Sequence, residues 1–254
     1  MRTLRLSHVS GFRMTQGALS AWQIGWVRRL RRLSDPALTV LVVLQILTLF
    51  VDMPLTDMGW LSPRSLIVLE LLTLGAALLV VSWKRAAVIA LLASFLAGIG
   101  AAELRDVLAS QIATFIDFAA KMIFTGVLTW VVGIQVFSPG RVTRHRIWGA
   151  VAIYLQISLL FTFLYLLIAS QNPSAFHPTL ILSGPTGDIL RGAHGGAQLV
   201  YFSLSTLTTT GYGDIVPVQP LARSLANLEG LIGQLFPATL LARLVTLEMA
   251  ERKR

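Results

Sequence analysis

The sequence has no cysteine and few charged residues. Its 254 residues include no Cys, 13% charged side chains and 55% hydrophobic side chains. The absence of cysteine excludes disulfides, thiolate metal sites and a cysteine nucleophile. Soluble domains carry about a quarter charged residues, so this low share indicates that lipid surrounds much of the chain. Six membrane helices of about 20 residues each would use roughly half of it, which argues against a soluble enzyme with a large second domain.

Acidic residues are scarce as well. The chain has 12 acidic and 21 basic residues, which gives a net charge of +9. Such a surplus could indicate nucleic-acid binding, but Arg28, Arg29, Arg31 and Arg32 stand directly before the first apolar run, as a cytoplasmic anchor does. Apolar residues within 18–33 recur on one helical face, which predicts an amphipathic helix on the anionic inner leaflet. A plain positive-inside anchor is the alternative, and no nucleic-acid partner is expected.

Apolar runs of membrane-spanning length recur along the chain. Asp35 with Pro36, and Ser62 with Pro63, each supply an N-cap followed by a proline, which is a helix start signal. A polar loop that begins with Asp52 is expected after the first span. The pattern predicts an all-α membrane protein whose six transmembrane helices cover residues 36–51, 63–83, 86–102, 107–137, 147–170 and 221–248.

The distribution of basic residues predicts the orientation of these helices. An even number of spans places both termini on one side, and assigning that side to the cytoplasm puts most Lys and Arg there. We therefore expect a multi-pass protein of a plasma or bacterial inner membrane with both termini cytoplasmic. Three regions follow: a cytoplasmic segment with a basic amphipathic helix at 1–33, a four-helix membrane domain at 34–137, and a pore domain at 141–254.

The segment between the fifth and sixth spans has a different character. Residues 172–196 are rich in Pro and Gly, as an external loop is. A helix at about 198–208, too short to cross a bilayer, and the sequence TTTGYGD at 208–214 follow. This arrangement predicts a re-entrant loop, and non-helical backbone at membrane depth is tolerated only where it is buried in protein or lines water.

The TTTGYGD sequence can present a row of backbone oxygens. The alternating Gly211 and Gly213 accept positive φ, so successive carbonyls can point to one axis and replace the hydration shell of a cation. The Thr209 hydroxyl can join them, and the Tyr212 side chain must then point away from that axis. The predicted ion-binding carbonyls are those of Thr209, Thr210, Gly211 and Tyr212.

From Tyr201 to about Val245 the chain resembles the pore region of tetrameric potassium channels. The resemblance implies potassium ions at the four carbonyl positions and no other cofactor. It also implies that a second set of residues supports the ion-binding TTTGYGD segment, which is the selectivity filter of that family. These residues are Gly213 and Asp214 at the outer mouth, Tyr201 and Phe202 around Tyr212, and Ser205. Many members of the family have tryptophan at the Phe202 position, and some have a glutamate at the Ser205 position that pairs with the aspartate.

Two further implications concern assembly and selectivity. The motif occurs once, and one strand cannot encircle an ion, so four chains are expected to form a homotetramer around a central pore. Tyr212 favours potassium over sodium, because a nonselective relative would be expected to lack this tyrosine.

The last predicted span carries the expected gating residues. Pro237 cannot donate to the carbonyl of Gly233, the position of the family's hinge, which predicts a bend that is either a moving hinge or a static kink. Glu229 lies on the helical face that points away from the predicted pore. We expect it to support the short helix at 198–208, the pore helix, through a hydrogen bond rather than to contact ions. The predicted pore-facing residues are Gln234, Pro237, Leu241 and Val245, with Glu248 either forming a carboxylate ring at the inner mouth or lying at a solvated helix end.

The first four spans lack the charges of a voltage sensor. A sensor needs several Arg or Lys at every third position of the fourth helix, and that span contains only Lys121, with Asp117 one turn earlier. The spacing predicts that the two charges pair, with Glu70 as a further partner, and that the protein is insensitive to voltage. His177 and His194 in the external loop are either proton sensors or simply solvated.

The predicted function is therefore passive, potassium-selective conduction. An intramembrane enzyme is one alternative, but the sequence contains no G-x-S-x-G and no H-E-x-x-H motif. A non-conducting or regulatory channel subunit is the other alternative.

Overall fold

A computed structural model describes residues 36–62, 64–81, 84–108, 111–137, 144–178 and 194–252. The predicted amphipathic helix at 18–33 and most of the external loop lie outside the described residues. The side chains of His194, Val245 and Glu248 do so too.

The described chain is helical apart from one small sheet. A helix at residues 36–47 (α1) continues through a π-helical turn, Thr48–Asp52, into α2. The remaining elements follow in order: α2 Met53–Asp57, α3 Arg64–Val81, α4 Arg85–Leu108, α5 Gln111–Val136, α6 Arg144–Gln171, β1 Phe176–Pro178, α7 His194–Leu207, β2 Ile215–Pro217 and α8 Pro220–Arg252.

Five helical segments among the described residues are long and apolar enough to cross a membrane. They are Pro36–Thr56, Arg85–Leu104, Gln111–Val136, His145–Gln171 and Pro220–Ala242. The predicted second span corresponds to α3, whose apolar part, Ile67–Val81, is shorter.

Two predicted boundaries are wrong. The first helix does not give way to a polar loop at Asp52, because Asp52 is 5% exposed inside the π-helical turn. Continuing the helix lets Leu49 and Met53 pack with Leu155 of α6 and Val200 of α7. The fourth span does not begin at residue 107 either, because α4 continues to Leu108 and α5 begins at Gln111. Alanine, leucine, glutamate and arginine favour helix beyond Leu104, where the candidate third span ends close to the predicted residue 102.

The apolar core joins the first helices to the later ones. One cluster combines Leu41 of α1, Val80 of α3, Val132 of α5 and Ile153 of α6. At the other end of α1, the Thr39 hydroxyl lies 3.2 Å from His145 Nδ1 at the start of α6. The four-helix region therefore packs against the α6 of its own chain.

A second cluster holds α7 between α6 and α8. Phe202 of α7 packs edge-on against Tyr165 of α6 and Phe176 of β1, with ring centroids 5.2 and 5.5 Å away. β1 and β2 form an antiparallel pair in which exposed His177 lies opposite Val216. The pair ties the chain after α6 to the chain that follows the TTTGYGD segment.

Candidate functional site

The backbone of the TTTGYGD segment turns back along the end of α7. The N–H of Thr209 donates to the carbonyl of Thr206 at 2.9 Å. The N–H groups of Thr210 and Gly211 both donate to the carbonyl of Ser205, at 2.8 and 3.1 Å. In a planar trans peptide the carbonyl points opposite to the following N–H. The carbonyls of residues 208, 209 and 210 therefore face away from α7.

Positive φ alternates along the same segment. Thr209, Gly211 and Gly213 have φ of 57°, 55° and 77°, and among the described residues Thr209 is the non-glycine residue with positive φ. Alternating left- and right-handed residues direct successive N–H groups to one side of the chain and carbonyls to the other. The glycines account for two of these positions, but a β-branched Thr209 at positive φ is strained and was not predicted. Its N–H bond to α7 holds it there.

Side chains hold the segment to α7 from behind. The Tyr212 ring stacks on Tyr201 of α7, with centroids 5.9 Å apart and planes 9° from parallel. The hydroxyls of Thr208 and Thr210 are hydrogen-bonded at 2.9 Å, and the Thr208 hydroxyl also donates to the Leu204 carbonyl at 2.7 Å. The ring of Tyr212 thus lies on the α7 side of the segment.

Asp214 has a hydrogen-bond donor that the sequence analysis missed. The Tyr201 hydroxyl donates to Asp214 Oδ2 at 2.7 Å, and the Ile215 N–H donates to Oδ1 at 3.0 Å. Loss of hydration, together with the hydrogen bond to the Asp214 carboxylate, raises the pKa of Tyr201 to about 12. Phe202, at the tryptophan position of the family, fills the aromatic cluster instead, and the Ser205 hydroxyl donates to the Phe202 carbonyl at 2.9 Å.

A buried polar cluster joins three helices next to this segment. Glu229 of α8 is fully buried and accepts hydrogen bonds from the Tyr165 hydroxyl, at 2.7 Å, and from the Ser203 hydroxyl of α7. Ser203 Oγ also lies 2.8 Å from the carbonyl of Ser158 in α6. Glu229 therefore contacts the support of the segment rather than the carbonyls that face away from α7.

The backbone of Gly233 in α8 packs directly on the end of α7. A Cβ at Gly233 would lie 1.8 Å from the carbonyl oxygen of Leu207. The Tyr154 hydroxyl of α6 donates to the same oxygen at 2.9 Å. α8 continues as a helix through Pro237, so the structure gives Gly233 a packing role that the hinge interpretation did not include.

The predicted pore-facing residues of α8 are distributed as follows. Gln234, Pro237 and Leu241 are exposed on the single chain. The side chains of Val245 and Glu248 lie outside the described residues, so their predicted roles stay predictions.

Two charged residues of α5 form an ion pair. Lys121 Nζ lies 3.0 Å from Oδ1 of Asp117, which is fully buried. Glu70 of α3 lies close enough to Lys121 and Asp117 for their charges to act on it, as the sequence suggested. Within the described residues, the contact at ion-pair distance is the one between Lys121 and Asp117.

Comparison with known proteins connects this region to ion channels. Residues 180–249 match the model of a family described as "Ion channel". The chain is 41% identical over 51 residues to the inward rectifier potassium channel Kirbac3.1 of Paramagnetospirillum magnetotacticum, a match that covers 19% of this chain and 17% of that protein.

Two longer matches have lower identity. Protein LctB of Bacillus caldotenax is 27% identical over 132 residues, which is 52% of this chain and 92% of LctB. Protein LctB of Geobacillus stearothermophilus is 28% identical over 135 residues, which is 51% of this chain and 95% of that protein. No solved structure matches significantly. With its apolar helices, the chain is an integral membrane protein with an ion channel domain, and the matches point to a channel rather than an enzyme.

Proposed function

We propose that this chain is the subunit of a potassium-selective channel that conducts K⁺ passively through the backbone oxygens of Thr209, Thr210, Gly211 and Tyr212. The observation that carries the proposal is the backbone of the TTTGYGD segment. Its N–H groups bond to α7 while its φ values alternate in sign. Such a strand presents a row of carbonyls that can replace the hydration shell of a cation.

Assembly completes the proposed conduction site. One strand offers oxygens from one side only, so four copies around an axis would give each ion a ring of four carbonyls at every level. Tyr212 is 69% exposed on the single chain, although it stacks on Tyr201. Contact with a neighbouring subunit would cover this ring, which supports a homotetramer.

The supports behind the strand favour potassium. The N–H bonds to Ser205 and Thr206, the Tyr212 stack and the bond from Tyr201 to Asp214 all oppose collapse of the strand toward the axis. A ring held at a fixed width cannot contract around the smaller sodium ion, so the dehydration of sodium is less well compensated.

Weak voltage dependence is part of the proposal. Moving charge through the membrane field is the source of voltage sensing, and the charge of Lys121 is balanced by Asp117 at 3.0 Å. We further propose a cell membrane location with both termini cytoplasmic, in contact with anionic lipids of the inner leaflet.

Ion flux into liposomes tests the function. Purified protein reconstituted with a potassium gradient should pass K⁺ much faster than Na⁺. Gly213→Ala should abolish this preference, because an alanine at φ +77° costs roughly 1–2 kcal/mol in each chain. Gly59→Ala is the matched control, since Gly59 has φ +74° and open space around it but lies in the loop after α2.

Three outcomes would contradict the proposal. Equal flux of K⁺ and Na⁺ would contradict the proposed selectivity for potassium. An unchanged preference for K⁺ in Gly213→Ala would contradict the assignment of the TTTGYGD segment as the selectivity filter. Absence of any flux from folded protein would favour the non-conducting subunit. Single-channel recordings at both polarities test the voltage part, which a steep change in open probability would overturn.

A further inference from the structure

A groove between α4 and α5 has a chemistry that ion conduction does not use. Its volume is about 590 Å³, within the range of small-molecule sites. Both helices are candidate membrane spans, so the groove is open to lipid rather than to a water-filled site. The lining includes Lys84, Arg85 and three alanines of α4, and Trp130 of α5.

The lining is divided into a cationic end and an apolar floor. Lys84 and Arg85 stand at the start of α4. Ala86, Ala87 and Ala90 follow on α4, and their small side chains leave the space that the groove occupies. The groove thus offers positive charge at the membrane surface and an apolar surface directly below it.

The depth of these residues fits a lipid. α4 and α5 are consecutive membrane helices that pack against each other, so the start of α4 and the end of α5 lie at the same membrane surface. Trp130 comes from the last third of α5 and is 71% exposed. An exposed tryptophan near the end of a membrane helix is typical of the headgroup level.

We propose that this groove binds an anionic phospholipid, with its phosphate at Lys84 and Arg85 and the upper part of one acyl chain against the alanines. Charge decides between lipid classes, because a basic pocket between membrane helices favours an anionic headgroup over a zwitterionic one. The site is independent of the proposed conduction path, which is formed by α7, α8 and the segment between them.

Quenching of Trp130 by brominated lipid measures occupancy of this groove. The full-length protein is placed in phosphatidylcholine vesicles that contain either brominated phosphatidylglycerol or brominated phosphatidylcholine, and Trp130→Phe gives the signal of the other tryptophans. We expect phosphatidylglycerol to quench Trp130 with about tenfold or higher relative affinity. The double variant Lys84→Gln with Arg85→Gln should lose this preference, and Lys84→Arg with Arg85→Lys should keep it.

A pair of substitutions on α4 tests the apolar part. Ala90→Phe fills the groove and should protect Trp130 from brominated phosphatidylglycerol. Leu92→Phe places the same side chain on the opposite face of the same helix, where Leu92 is exposed, and should leave quenching unchanged. This comparison remains valid if the charge variants fail to fold.

Several results would overturn the proposal. Equal quenching by the two lipids would exclude charge recognition, as would a preference that persists in the double glutamine variant. Binding of inorganic phosphate at Lys84 and Arg85, without quenching of Trp130 by brominated phosphatidylglycerol, would indicate an ion site without a lipid. Absence of Trp130 quenching by either lipid would indicate that another copy of the chain covers the groove. Quenching of Trp130 measures lipid binding and not conduction. A failure of the proposed channel function would therefore leave this test of the lipid site valid.

Discussion

Glu229 is the residue around which three helices of the pore region meet. A carboxylate without access to water is costly unless hydrogen bonds compensate it. Tyr165 and Ser203 supply two hydroxyl donors, one from α6 and one from α7. Because Ser203 is also bonded to Ser158, the acid connects α8 to the helix that supports the TTTGYGD segment.

Removal of this acid should destabilise the protein more than removal of an exposed one. We expect Glu229→Ala to lower the free energy of unfolding by about 1–3 kcal/mol, because the buried Tyr165 hydroxyl loses its acceptor. The Ser203 hydroxyl would keep the Ser158 carbonyl. Glu229→Gln keeps one acceptor oxygen and should cost less. Thermal or denaturant unfolding in detergent measures the change, with the exposed Glu103→Ala as control, expected within about 0.5 kcal/mol of the parent. Equal stability of the Glu229 and Glu103 variants would contradict the role of the cluster.

At the scale of elements, two glycines of α8 one turn apart face α7, and only one of them needs to be a glycine for the helices to pack. Gly233 brings its Cα against the Leu207 carbonyl, and a Cβ there would lie at 1.8 Å from that oxygen. A Cβ at Gly230 would meet the Thr206 carbonyl oxygen at 3.8 Å, an ordinary contact. Any shift of α8 at Gly233 would therefore move the last residue of α7, directly before the proposed filter.

The different contacts of Gly233 and Gly230 make it possible to distinguish a packing role of Gly233 from a hinge role. We expect Gly233→Ala to reduce K⁺ flux by about tenfold or more, because the clash must displace the end of α7. Gly230→Ala removes a glycine from the same helix and should change flux by less than about twofold. Liposome flux assays measure both. Similar losses in the two variants would favour helix flexibility, and no loss in either would exclude the packing role.

At the scale of the whole molecule, the first helices and the pore region share a core within one chain. Leu49 of the π-helical turn contacts Leu155 and Val200, which belong to α6 and α7. The side chains of Thr39 and His145 approach to 3.2 Å at the other end of α1. A movement of α1 would therefore act on α6 and on α7 of its own subunit.

The absence of cysteine makes this arrangement testable. In a chain without native thiols, Thr39→Cys with His145→Cys introduces one pair, and a short thiol-specific crosslinker should join the two within a chain. The crosslinked protein should then run as a monomer of altered mobility on a denaturing gel. Crosslinked dimers and larger species would show that α1 packs against another subunit. Each single variant serves as the control for random collisions.

Part of this description could be obtained from the sequence because it depends on local geometry. Helical spacing placed Asp117 one turn before Lys121, and the structure has the two side chains 3.0 Å apart. The alternating glycines likewise anticipated positive φ at Gly211 and Gly213. Such features involve residues close in the chain, whose relative positions covalent geometry already restricts.

The sequence by itself determined that the chain consists largely of apolar helices, and it determined the Asp117 and Lys121 pair and the backbone preference of the TTTGYGD segment. Only the tertiary structure decided that Tyr201 is the donor to Asp214, that Thr209 adopts positive φ, and that Gly233 packs on Leu207. The physical reason is that these features depend on where α7 and α8 lie relative to each other and to the chain between them. That placement results from packing among distant side chains, which no local spacing encodes.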